Sequence, residues 1–176
     1  MILTVFFSMK GETIAPGMKI VNLDKGNTAW AAGYVHNAAG GDLFELETEK
    51  TYTKDHMKMI YEAQEELREG IRPRLRSLPQ GFDQYDTVFL GFPNWWGTLP
   101  MPVVSFLEQE NWRGKRIFPF VTSEGSGFAD SLRDLEKYCP GAVIGEGLAI
   151  IGHKAMDSKD EIDAWVGKAI AMLEKK

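Results

Sequence analysis

Residues 88–104 read Val88-Phe89-Leu90-Gly91-Phe92-Pro93-Asn94-Trp95-Trp96-Gly97-Thr98-Leu99-Pro100-Met101-Pro102-Val103-Val104. The unbroken apolar run from Val88 to Phe92 is the pattern of a strand covered on both faces, and Pro93 cuts it. Thr98, Pro100 and Pro102 then suit the start of a helix through Val103, Val104, Phe106 and Leu107, because proline is tolerated in a first turn. A buried strand, a loop and a helix in that order make one unit of a parallel sheet.

The same unit recurs on both sides. Ile2 to Phe7 forms an apolar first strand, and a connection rich in Gly, Pro and polar residues runs from Ser8 to Gly26. A helix is expected from Asn27 to Ala39, closed by Gly40-Gly41. Leu43, Phe44 and Leu46 mark a second strand. Met57, Ile60, Tyr61, Gln64, Leu67 and Ile71 recur at helical spacing and stop before Pro73. Arg116 to Val121 is the fourth strand, followed by a helix from Phe128 to Tyr138 that ends at Pro140-Gly141. Val143-Ile144 and Leu148 to Ile151 form a fifth strand bent near Gly145. Ile162, Trp165, Val166, Ala169, Ile170 and Leu173 make the last helix. Strand and helix alternate five times, which predicts an α/β fold with a doubly wound five-stranded parallel sheet.

The chain has 176 residues, 44% hydrophobic and 26% charged, with no repeat or linker, so residues 1–176 read as a single domain. Lys plus Arg number 20 against 25 acids, a net charge of −5. That balance gives no electrostatic footprint for nucleic acid or an anionic membrane. Cys139 is the one cysteine, so no internal disulfide forms and a reducing compartment fits. The first residues, Met-Ile-Leu-Thr-Val-Phe-Phe-Ser, lack the basic flank of a signal peptide and turn polar too soon for a membrane span. A soluble, cytoplasmic protein is expected. Between Asp42 and Glu69 stand nine acids and four bases, so this segment carries the whole net charge. It reads either as a solvated helix face or as a docking surface for a basic partner.

In doubly wound sheets the ligand sits beyond the carboxyl ends of the strands. Three loops there are rich in glycine, hydroxyl and amide groups: Ser8 with Lys25-Gly26-Asn27-Thr28, Pro93 to Thr98, and Thr122-Ser123-Glu124-Gly125-Ser126-Gly127. Gly26-Asn27-Thr28 opening a helix through Ala29 suits a phosphate at the positive helix end, or is a plain capping sequence. A competing copy, Ser8 to Thr13, follows the first strand directly. There Pro16-Gly17 stops a helix and Glu12 would repel an anion. Trp95 and Trp96 either fill a core or hold a flat heteroaromatic ring by stacking. Their joint place favours one phosphorylated aromatic ligand. No dinucleotide fingerprint, lysine phosphate loop or metal-ligand spacing of His36, His56 and His153 accompanies them. Cys139 reads as a packed thiol.

These residues resemble the flavodoxins, and more closely a bacterial flavodoxin-like group whose ring loop reads Pro-x-Trp-Trp-Gly-Thr-x-Pro-Met, here Pro93 to Met101. Asp42-Leu43-Phe44-Glu45, Tyr85-Asp86, Pro119 to Gly127 and Cys139-Pro140-Gly141-Ala142 are similar too, so the likeness spans nearly the whole chain. It implies a flavodoxin-like fold with strand order 2-1-3-4-5, holding FMN non-covalently. By that likeness Ser8 and Lys25, Gly26, Asn27, Thr28 and Ala29 hold the phosphate. Pro93, Asn94, Trp95, Trp96, Gly97 and Thr98, with Thr122 to Gly127, flank the isoalloxazine. The chain departs from the family between Met9 and Lys25, where flavodoxins run straight into the phosphate loop. The expected role is a low-potential electron carrier with no catalytic residue of its own, docking a flavoprotein reductase or acceptor by its acidic surface. Two other roles stay open: an FMN-dependent NAD(P)H reductase of quinone-like substrates, and a binding module with weakened flavin affinity.

Overall fold

The computed structural model describes residues 1–175. Chain order gives β1 (Ile2–Phe6), β2 (Gly11–Ala15), β3 (Lys19–Leu23), α1 (Asn27–Ala39), β4 (Asp42–Glu45) and α2 (His56–Glu69). There follow β5 (Thr87–Pro93), α3 (Met101–Glu108), β6 (Arg116–Ser123) and α4 (Ser131–Tyr138). The last elements are β7 (Val143–Ile144), β8 (Leu148–Ile151) and α5 (Lys159–Glu174). The main sheet is parallel, with β1 between β4 and β5, and β6 beyond β5. β7 and β8 both pair with β6 and share the fifth position. This is the expected 2-1-3-4-5 order, with the last strand interrupted as the bend near Gly145 suggested.

The two-residue period of the pleat sorts the apolar strand residues onto two cores. Leu3 and Val5, Val88, Leu90 and Phe92, and Ile117 and Val121 face Val103, Val104, Phe106 and Leu107 of α3 and Leu135 of α4. Phe6, Phe89, Phe118 and Phe120 face Ala31, Ala32 and Val35 of α1 and Ile162, Trp165, Val166 and Ala169 of α5. Gly91 stands on the second face, where a Cβ would lie 2.3 Å from the Phe120 ring. The ring fills the place that any larger residue would need.

Several sequence expectations shift. The connection from Ser8 to Gly26 holds an antiparallel hairpin, β2 with β3, off the main sheet. Thr13, Ile14, Ile20 and Val21 carry the strand propensity, and Gly17 and Met18 turn the chain at φ 81° and 61°. β5 includes Pro93, whose missing N–H is no loss because Asn94 donates to the Thr122 carbonyl at 3.0 Å and continues the ladder. α4 starts at Ser131 rather than Phe128, since Ala129 at φ 46° is left-handed and breaks the turn. On α2 the expected apolar stripe is rotated. Met57, Tyr61 and the following Ile71 are exposed, while Ala63 and Glu66 are buried. Cys139 caps α4 and is buried, and burial pushes its thiol up to about 12. Among the described residues, no helix is long and apolar enough to cross a membrane.

Gly91→Ala is expected to cost about 1–3 kcal/mol by overpacking, seen as a lower urea midpoint at an unchanged slope. Combined with Phe120→Leu, the loss is expected to be less than additive, because the smaller side chain vacates the contested space.

Candidate functional site

The carboxyl edge of the sheet is built around one close approach. A Cβ on Gly26 would lie 2.2 Å from Ser8 Oγ and 2.4 Å from the Met9 carbonyl oxygen. Only glycine lets the start of α1 sit against the end of β1. Ser8 Oγ then accepts the Ala29 N–H at 3.0 Å. Gly26 caps the helix with no side-chain bond, and the Asn27 and Thr28 amides find no acceptor among the described residues. Two free N–H groups at a positive helix end suit an anion, and no carboxylate hydrogen-bonds to them. Thr28 is buried, and its hydroxyl meets that of Thr122 at 2.8 Å. The pair ties the helix start to the end of β6.

Asn94 organises the other two loops. Its Nδ2 donates to Ser126 Oγ at 3.0 Å and to the Gly127 carbonyl at 2.9 Å, and its Oδ1 accepts the Gly97 N–H at 2.8 Å. Trp95 and Thr98 exchange backbone hydrogen bonds at 3.1 and 3.2 Å around a two-residue turn. Trp96 and Gly97 occupy that turn at φ 56° and 83°. Both central residues are left-handed, a conformation that disfavours a tryptophan. Trp96 is held there by its indole N–H, which donates to the Ile60 carbonyl of α2 at 2.7 Å. Ser123 Oγ accepts the Gly125 and Gly127 amides at 3.3 and 2.9 Å, which shapes the third loop. Thr98 is buried and donates to Asp134.

Between α2 and these loops lies a cavity of about 310 Å³ lined by Met59, Ile60, Ala63, Asn94, Trp95, Trp96, Gly97 and Ser126. Its walls are apolar and aromatic, with polar groups at one rim, the pattern of a site for a flat ring. Sequence reading found the loop half of this cavity and missed Met59, Ile60 and Ala63. They stand on a helix, and only the packing of α2 against the loop brings them in.

A second tier steadies the tryptophan loop. Trp95 is half-buried, edge-on to Phe7 and Tyr52 with ring centres 5.3 and 5.4 Å away. The Tyr52 hydroxyl donates to Glu66 Oε1 at 2.6 Å and lies 2.9 Å from Oε2. Burial and the Glu66 carboxylate together push the Tyr52 hydroxyl far above the usual phenol range. Lys50 pairs with Glu66 and also lies over the Tyr52 ring at 4.4 Å. Glu66 therefore leaves the exposed acidic face on which the sequence placed it, drawn inward by two partners.

Not all the expected residues converge. Lys25 Nζ sits 4.1 Å over the Trp30 ring, under the β2–β3 hairpin. Glu124 turns away from the ring loops to His153 Nδ1 at 2.9 Å. Both line a separate cavity of about 190 Å³ with Asn27 and Trp30, outside the tryptophan cavity.

The family described as flavodoxin matches residues 19–169. No curated protein matches the sequence. Among solved structures, a Bacteroides eggerthii protein described as a flavoprotein is 29% identical with a TM-score of 0.74, covering 94% of this chain and 95% of that one. A Bacteroides uniformis flavoprotein is 28% identical at the same TM-score, over 94% of this chain and 97% of that one. A Lactobacillus acidophilus flavoprotein, solved in complex with FMN, shares the fold at 18% identity and a TM-score of 0.64, over 90% and 97% of the two chains.

Removing Glu66 strands the buried phenol of Tyr52 and leaves the exposed Lys50 with Glu62 alone. Glu66→Ala is expected to cost about 1–3 kcal/mol in chemical denaturation, and the tryptophan fluorescence is expected to change. Joint replacement, Glu66→Leu with Lys50→Met, is expected to recover part of that loss.

Proposed function

The chain belongs to the flavodoxin family, and from that premise we propose that it binds FMN and carries electrons between protein partners. The observation that carries the reading is the 2.8 Å contact of Thr28 with Thr122. It joins an anion-suited helix start to ring-suited loops at one edge of one sheet. The residues fit the cofactor: free Asn27 and Thr28 amides beside Ser8 for the phosphate, and a cavity with two tryptophans and a polar rim for the ring. FMN supplies one- and two-electron chemistry when bound.

In this reading Ser8 and Gly26 to Ala29 bind the phosphate, with Lys25 adding charge nearby. Pro93 and Asn94 to Thr98 hold one side of the ring, and Thr122 to Gly127 shape the other. Asn94 keeps the loops apart at a fixed distance through Ser126 and Gly127. Trp95 and Trp96 exclude water, and the turn at Gly97 is held in place beside the ring by Asn94 and the Asp130 N–H. The chain contributes no acid or base.

The electron partner docks beside the same cavity. Met57, Tyr61 and Trp96 are exposed there, and Glu65 and Glu69 on α2 are exposed acids. An apolar centre with acids around it suits a basic partner, steered in by charge.

FMN is expected to bind at least about tenfold, or ~1.4 kcal/mol, more tightly than riboflavin, measured by quenching of flavin fluorescence. Gly26→Ala is expected to erase that preference while leaving riboflavin binding. Equal affinity of the unmodified protein for both flavins would remove the phosphate site.

Carrier and reductase differ in a single assay. The FMN-loaded protein alone is expected to oxidise NADPH negligibly. It is expected to take electrons from a flavoprotein reductase at a rate that falls as salt rises. Brisk turnover of NADPH with a quinone and no partner would establish the reductase role instead.

A further inference from the structure

The strand order β4-β1-β5-β6 puts the flavin loops beyond β5 and β6, on one side of β1. On the other side of β1, at the carboxyl ends of β1 and β4, lies a second cleft of about 310 Å³. Four basic side chains line it: Lys10, Lys50, Lys54 and Arg76. That concentration stands out in a chain of net charge −5, and Lys50 and Lys54 come from its most acidic segment.

Two of the four already have partners. Lys50 pairs with the buried Glu66, and Arg76 lies 3.6 Å from Glu47 and donates to the Thr48 carbonyl. Lys10 and Lys54 have no carboxylate within ion-pair distance among the described residues. The root of the β2–β3 hairpin brings these two together. Gly11, next to Lys10, packs so closely that a Cβ there would lie 3.2 Å from Lys54 Cβ. Glu12 N–H donates to the Lys54 carbonyl at 3.1 Å, and the Glu12 carboxylate is taken by the His56 amide at 3.0 Å. The nearby acid is thus turned to a backbone group, and the strand that begins next to Lys10 is packed against Lys54. Glu47 lines the cleft too, as does Glu45. Burial and the neighbouring Glu47 push the Glu45 carboxyl above the usual range, against the pull of Lys10.

We propose that this cleft binds a small phosphate-bearing anion, held by Lys10 and Lys54 and distinct from the flavin phosphate. Ammonium groups act as point charges that suit a many-acceptor phosphate. The Thr51 hydroxyl at the wall offers a further donor. The volume fits a small metabolite rather than a polymer. Tyr52 lines this cleft and also packs against Trp95, so an occupant here shares a wall with the tryptophan loop.

The test titrates pyrophosphate into the FMN-loaded protein at low ionic strength by calorimetry. Saturable binding is expected, weakened about tenfold or more by Lys10→Ala and by Lys54→Ala, and unchanged by Lys58→Ala, a neighbouring base outside the cleft. Each variant is expected to keep its FMN affinity, measured separately by fluorescence. Binding that appears only before FMN is loaded would place the anion at the start of α1 and overturn the proposal. So would binding that survives the Lys10→Ala and Lys54→Ala double variant, or no binding at all. Citrate binding as tightly as pyrophosphate would overturn the phosphate assignment. A protein that takes up no flavin would sink the flavin reading alone, because the lysine dependence of pyrophosphate binding is read without it.

Discussion

Burial of the central strands on both faces governs everything else in this molecule. Residues Thr87 to Phe92 of β5 are all buried, as are Ile117 to Thr122 of β6. A strand whose two faces are both covered has no surface to offer a ligand. What remains accessible is the line where strands end and the chain turns into helices. Glycine is required along that line wherever two segments must come closer than a side chain allows, and Gly26 against Ser8 is the tightest such place for the flavin loops.

Around that edge the loops are held by one another, by the end of β6 and by α2. Asn94 bonds to the third loop, Thr28 to Thr122, and Trp96 to the Ile60 carbonyl of α2. A left-handed tryptophan is tolerated because its indole N–H has a fixed partner. Behind it, Tyr52 and Glu66 form a buried polar pair that Lys50 completes. Such a network gives a definite position to a ring wall only while every member is present.

Much of this was legible in the residues. The apolar runs of β1, β5 and β6 announced buried parallel strands, and Gly26-Asn27-Thr28 announced the start of α1. The loop half of the tryptophan cavity followed from its glycine, amide and indole groups. The helix half did not, because Met59 and Ala63 look like any residues of an amphipathic helix until its rotation is known. That rotation is set by Glu66, a charge turned inward, and helical periodicity assigns charges outward. The hairpin was hidden for a different reason. Its strands are short and half-polar, and Pro16-Gly17 reads equally as an irregular loop or as a turn. Its alternation becomes informative only once the partner strand is known.

The placement of sulfur has its own meaning. Cys139 lies at the carboxyl end of α4, next to the turn that leads through Gly141 to Gly114 ahead of β6. That is the amino edge of the sheet, opposite the loops that face ligand. With its thiol buried and pushed up to about 12, the thiolate is scarce at neutral pH. Thiol–disulfide exchange needs that thiolate and access to it. Burial and the raised thiol both disfavour exchange of Cys139 with glutathione or dithiol carriers, and a disulfide to a second copy. The cysteine therefore offers no chemistry to rival that of a bound flavin.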